Sequence, residues 1–142
     1  MPSISYLVLR ALDEVQSLDV QNCISLKGLS VIECYFFHTI TGFDKLKKLQ
    51  FFGITDNDRF DFSTCGDDTN LKEVSFLGCK EFNDLRDIKD LKQLEVLDLA
   101  ETAVHELDLL IEFPLLKQLS IIWCHGLKDL DPLYIHILRY LL

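Results

Sequence analysis

Basic residues are scarce in this 142-residue chain: 14 Lys and Arg stand against 23 Asp and Glu, for a net charge of −9. Meeting nucleic-acid phosphates takes clustered Lys and Arg, so this balance argues against nucleic acid as a direct ligand. Long apolar runs are also lacking. No stretch approaches the roughly 20 apolar residues of a membrane-spanning helix, and the most apolar tail, Leu133 to Leu142, is short and carries His136 and Arg139. The segment Met1 to Arg10 shows no basic leader, apolar core or cleavage site. That points to an intracellular, most simply cytoplasmic, protein, or to a processed or trimmed piece. The five cysteines lack the CxxC pairs of zinc and redox sites, which favours reduced thiols. No Gly-rich phosphate loop, nucleophile elbow or metal-ligand spacing occurs, and His38, His105, His125 and His136 fall at unrelated phases. Neither an enzyme nor a cofactor is expected from such a chain.

What the chain does have is regularly spaced leucine. Hydrophobic residues make up 49% of it and the mean hydropathy is +0.17, values that a long narrow core of stacked side chains explains. In Leu94-Glu-Val-Leu97-Asp-Leu99-Ala-Glu-Thr102, two leucines at spacing three are followed by an alternation and then by a small polar residue. The alternating part reads as a short strand with one face buried, and Thr102 stands where the chain must turn and satisfy buried backbone groups. The same pattern recurs at Leu7, Leu18, Leu29, Leu49, Val74, Leu97 and Leu119, with spacings of 11, 11, 20, 25, 23 and 22. Five residues after the later anchors stand Cys23, Cys34, Ile54, Cys79, Thr102 and Cys124, a column that takes in four of the five cysteines. Behind it, Phe37, Phe82, Val104 and Leu127, then Ile40, Leu85, Leu107 and Leu130, are expected to fill the core.

These residues resemble the leucine-rich repeat, in about five to seven copies. The resemblance implies an α/β right-handed solenoid with a parallel concave β-sheet and short helices or turns on the convex side. It covers almost all of one domain, 1–142, with irregular repeats over 4–40, regular repeats over 41–132, and a cap or the start of a further repeat over 133–142. In the family the column after the strand ties adjacent coils together, so its cysteines are expected to pack rather than react. Cys65 falls outside the column and reads as an exposed thiol in a loop.

Three stretches leave alternatives open. Ile4, Leu7, Leu12 and Val15 fit the stripe of a capping helix about as well as a tight half-length repeat. The acidic segment 56–70 reads as an enlarged solvated loop, since its spacing does not match a calcium loop and Phe60 and Phe62 interrupt it. At the other end, Ile135, Leu138 and Leu141 repeat the entry pattern, while Leu133, Ile137, Tyr140 and Leu141 suit an amphipathic helix.

In such a solenoid, residues flanking the buried strand leucines face the concave side, because strand side chains alternate. One column then reads Asp19, Ser30, Gln50, Ser75, Asp98, Ser120, and the next Ile32, Phe52, Leu77, Ala100, Ile122. Beside them lie Glu33, Gly53, Gly78, Glu101 and Trp123. The expected partner-binding residues are therefore Asp19, Ile32, Glu33, Gln50, Phe52, Ser75, Leu77, Asp98, Glu101, Ile122 and Trp123. A polar-acidic track beside an apolar stripe marks a protein-binding surface, with Trp123 and Ile122 as its anchor. The resemblance implies an adaptor or assembly subunit. An acidic inhibitor of a basic enzyme, or a block of a longer receptor or surface protein, are the alternatives, and acidity is compatible with a basic protein partner.

Overall fold

A computed structural model describes residues 3–67 and 70–134. Each coil contributes one short strand to a six-stranded, wholly parallel sheet. The strands are β1 (Tyr6–Arg10), β3 (Gly28–Ile32), β5 (Phe51–Thr55), β6 (Glu73–Ser75), β7 (Val96–Asp98) and β8 (Gln118–Ser120), in that spatial order. Two further strands, β2 (Ser17–Asp19) and β4 (Thr39–Thr41), pair in a small parallel sheet of their own. The outer side of the later coils is made of 3₁₀ segments, Phe43–Lys45, Phe62–Asp67, Leu85–Ile88 and Asp108–Glu112. Tight 3₁₀ turns suit these stretches because each must reverse direction within a few residues. Pro114 follows the last of them, where a residue without an N–H interrupts nothing.

The strand register corrects the spacing read from the sequence. Leu7, Leu29, Phe52, Val74, Leu97 and Leu119 stand side by side, which makes the repeat 22 or 23 residues throughout. Leu49 is not a strand anchor. It is the buried entry leucine of its coil, equivalent to Leu26, Leu71, Leu94 and Leu116. The anchor itself is Phe52, and a phenylalanine in a leucine position moved the apparent register by three. The half-length spacing at Leu18 has a different cause: Leu18 pairs with Ile40 in the small sheet on another side of the coil. The helical reading of Ile4 to Val15 also gives way, since Tyr6 to Arg10 is a strand paired with β3.

The core is one continuous column of leucine, isoleucine, valine and phenylalanine. Phe43, Phe52, Phe60, Phe62, Phe76 and Phe82 form a connected run of rings with centroids 4.5–5.7 Å apart, mostly edge-on or tilted. Such geometry adds to what area burial alone contributes. The acidic segment is therefore no enlarged solvated loop in its first part. Asn57, Phe60, Phe62 and Cys65 are all buried, and the segment closes an ordinary coil. Cys65 accordingly is not an exposed thiol. Of the outer anchors expected in the core, Leu130 is exposed. The expected repeat or helix involving Ile135, Ile137, Leu138, Tyr140 and Leu141 lies outside the described residues.

Candidate functional site

The concave surface is built from four outward positions in each coil: those one before, one after, three after and four after the strand anchor. The register assigns them Tyr6, Val8, Arg10 and Ala11 in the first coil, and Gln118, Ser120, Ile122 and Trp123 in the last described one. The fourth position has an unusual property. Ala11, Glu33, Asp56, Glu101 and Trp123 all have φ between 52 and 58°, and Gly78 has φ 75°. In the first five coils the N–H there donates to a carbonyl of the next coil: Ala11 to Ile32, Glu33 to Thr55, Asp56 to Leu77, Gly78 to Ala100 and Glu101 to Ile122, at 2.8–3.1 Å. The left-handed turn thus extends the ladder by one bond while steering the chain off the sheet. Residues with a Cβ pay roughly 1–2 kcal/mol for this conformation.

The next position inward is the ladder column. In the true register it holds Cys34, Asn57, Cys79, Thr102 and Cys124. Asn57 replaces Ile54 there, and Cys23 belongs to the outer turn instead. Three cysteines, not four, share the column. Asn57 is wholly buried and fully used: its Nδ2 donates to the carbonyls of Cys34 (2.6 Å) and Phe37 (2.8 Å), and its Oδ1 accepts from the N–H groups of Arg59 and Phe60, both at 2.8 Å. Thr102 Oγ1 and Cys124 Sγ both donate to the Leu99 carbonyl, at 2.7 and 2.9 Å, and Cys79 Sγ donates to Ile54 at 3.3 Å. Burial pushes the Cys79 thiol up to about 12, so it stays protonated. All five cysteines are thiols. Their place is in packing.

Most of the expected partner-binding residues do reach the concave side, but they are not alike. Glu33, Ser75, Asp98, Glu101, Ile122 and Trp123 lie on it, with Ile32 and Leu77 half-buried between coils. Phe52 does not: it is completely buried as the anchor of its coil, and its neighbour Phe51 faces outward instead. Asp19 does not either, since β2 belongs to the small sheet. Gln50 precedes β5 and sits on the rim with Lys27, Lys72, Glu95 and Lys117. Tyr6 and Val8, which flank the anchor Leu7, are concave residues outside the expected set, and Phe51, Thr55 and Asp56 are concave residues that the shifted register hid. Matching Leu49-x-x-Phe52-x-Ile54 to Leu71-x-x-Val74-x-Phe76 at 22 residues would have found them.

Charge is unevenly spread across the sheet. Lys27, Lys47, Lys48, Lys72, Lys92 and Lys117 lie ahead of the strands, among fewer acidic residues (Asp90, Glu95 and Glu112), whereas Asp13, Glu14, Glu33, Asp56, Asp58 and Glu101 follow them, among Arg59 and Lys80. On the lysine side, Lys117 Nζ meets Glu95 Oε2 at 2.8 Å and holds that carboxyl below the usual range. On the concave floor, Asp98 accepts from Ser75 Oγ (3.3 Å) and from the Ala100 N–H (3.0 Å), which fixes its carboxylate. Arg10 and Glu33 pair at 3.5 Å.

The apolar stripe rises only at its end. Ala100 is buried, but Ile122 is 63% and Trp123 67% exposed. Trp123 borders an open groove of about 490 Å³ that also takes in Lys80, Glu101, Thr102 and His125. Among the described residues, no group of three or more His, Cys, Asp or Glu is placed to hold a metal ion. Nor, among them, is any helix long and apolar enough to cross a membrane.

No protein-family model and no curated protein matches the sequence. Solved structures do match the fold. The chain is similar to an internalin C2 (InlC2) of Listeria monocytogenes, at 20% identity and TM-score 0.68 over 91% of this chain and 57% of that one. It is similar to an internalin (InlF) of the same organism, at 17% identity and TM-score 0.60 over 82% of this chain and 40% of that one. The functional domain of InlJ from Listeria monocytogenes, whose structure includes a cysteine ladder, matches at 23% identity and TM-score 0.55, over 79% of this chain and 26% of that one. The chain thus spans between about a quarter and somewhat over half of these relatives' length. At this identity the likeness concerns the fold, and the fold is the leucine-rich-repeat solenoid.

Proposed function

We propose that this protein is a protein-interaction module, an adaptor or assembly subunit, that binds its partner on the concave sheet with Trp123 and Ile122 as the anchor. The observation that carries the proposal is Trp123 itself. It combines a bulky side chain, a left-handed backbone (φ 57°) and 67% exposure. A large residue in that region is a backbone outlier, and a side chain left in water returns little burial in exchange. Glycine would serve the turn better, as it does at Gly78. The left-handed turn itself recurs in every coil, so what sets Trp123 apart is the large aromatic side chain left exposed at that turn, and exposed tryptophan is the residue type that dominates binding hot spots.

The acidic residues Glu33, Asp56, Asp98 and Glu101 along the same face favour a partner whose contacting surface is basic. The reading is tested with Trp123→Gly. Because glycine relieves the turn, the variant should unfold no earlier than the parent and yet fail to capture the partner from the native source. Capture at low and high salt then separates two roles. An anchor on Trp123 holds in salt, whereas an inhibitor steered to a basic enzyme loses its on-rate as salt screens the acidic track. A Trp123→Gly protein that binds as well as the parent would sink the proposal.

A further inference from the structure

At the end of the sheet opposite Trp123, β1 is the terminal strand among the described residues. Its coil is open, as is that of β8 at the far end of the described sheet, where Leu119, Ile121 and Leu127 are also only partly buried. Leu7, Leu9, Val15 and Leu18 are only partly buried, while their equivalents one coil on, Leu29, Val31, Phe37 and Ile40, are buried to 4% exposure or less. On the concave side Tyr6 is 72% and Val8 60% exposed. Apolar side chains and an open strand edge together call for a covering strand.

The backbone specifies which groups await it. The Ser5 carbonyl accepts from Gly28, and the Ala11 N–H donates to Ile32. With the two-residue period of a strand, the odd-numbered residues of β1 are therefore bonded to β3. The N–H and C=O of Tyr6, Val8 and Arg10 point to the free edge. These same three residues carry the outward side chains.

We infer that β1 pairs with β1 of a second copy of this chain, antiparallel about a two-fold axis through Val8, to make one sheet across a symmetric dimer. The sequence Tyr6-Leu7-Val8-Leu9-Arg10 is self-complementary about its centre. Val8 meets Val8 of the second copy, Leu7 meets Leu9 inside, and the aromatic ring of Tyr6 meets the Arg10 guanidinium outside. In that register every edge-facing N–H and C=O of both strands finds a partner, as an isologous contact requires. Charge agrees with the antiparallel sense. It brings the lysine-bearing rim of one copy, starting at Lys27, beside Asp13 and Glu14 of the other. A parallel arrangement would set like rims together.

The test uses the whole chain in sedimentation velocity from about 1 µM to about 1 mM, a range that covers ordinary weak association. The parent should shift from monomer to dimer with concentration. Val8→Lys and Val8→Asp, both at an exposed position, should each stay monomeric, because each sets like charges face to face across the axis. Mixed together, the two variants should form a heterodimer. Unchanged circular dichroism would show that both variants remain folded. A parent that stays monomeric throughout, a dimer indifferent to Val8, a mixture that fails to pair, or growth into larger head-to-tail oligomers would each overturn the proposal.

Discussion

Asn57 reaches one coil back to Cys34, its side-chain amide donating to the Cys34 carbonyl at 2.6 Å. The bond joins consecutive turns of the solenoid at a point where neither backbone can serve the other. With its bonds to Phe37, Arg59 and Phe60, it places all four of that amide's hydrogen bonds inside the protein. Asn57→Ala leaves several buried backbone groups without partners, and each such group costs about 1–3 kcal/mol. We expect a loss of about 3 kcal/mol or more, read by urea denaturation. A loss below about 1 kcal/mol would mean that water replaces the amide.

The strand register makes a sharp contrast between two adjacent phenylalanines. Phe52 is buried against Phe43 and Phe60, with centroids at 5.3 and 5.7 Å, while Phe51 faces the concave side. Phe52→Ala should lower stability by about 3–5 kcal/mol, as large-to-small core changes do. Phe51→Ala should cost clearly less. Equal effects in thermal or urea unfolding would contradict the register.

The left-handed column predicts opposite signs at neighbouring coils. Gly78→Ala places a Cβ about 2.0 Å from Asp56 Oδ1 and adds strain at φ 75°, so it should destabilise by at least about 1 kcal/mol. Glu101→Gly, at φ 58°, relieves strain and should raise stability by a few tenths to about 1 kcal/mol, less the backbone freedom glycine brings to the unfolded chain. Differential scanning calorimetry of both variants decides it.

Cys79 links burial to alkaline behaviour. Its thiol is held near 12 in the fold by desolvation, whereas an exposed cysteine ionises near 8.5. Below the unfolded value both states keep the proton, and this contribution to stability is whole. Between about 8.5 and 12 the unfolded chain loses the proton first, so stability falls as pH rises. Cys79→Ala should therefore show a flatter decline of denaturation midpoint above pH 9 than the parent. In native protein at neutral pH, half-buried Cys23 should react with a thiol reagent well before Cys34, Cys79 and Cys124.

Much of this molecule is legible in its one-dimensional pattern, for a physical reason. A solenoid coil packs only on its neighbours, so leucines at a fixed interval specify strand, core and curvature locally. Leu94, Leu97, Leu99 and Thr102 announce their roles without help from distant residues, and Trp123 and Ile122 were placed on the concave face by counting alone. What counting missed came from side chains that fit a position without resembling its usual occupant. Phe52 replaces a leucine, and only pairing with Leu29 and Val74 shows that it, not Leu49, is the anchor. Asn57 and Cys65 looked like parts of a polar loop, because burial of Phe60 and Phe62 beside them depends on the aromatic run from neighbouring coils. Leu18 imitates a strand anchor, and its pairing with Ile40 puts it in another sheet. The sequence by itself determined that the chain winds and which residue types line each coil. Tertiary structure decided the register, the left-handed turn that carries Trp123, and the open edge at Tyr6, Val8 and Arg10, since each depends on which backbone groups a neighbouring coil satisfies.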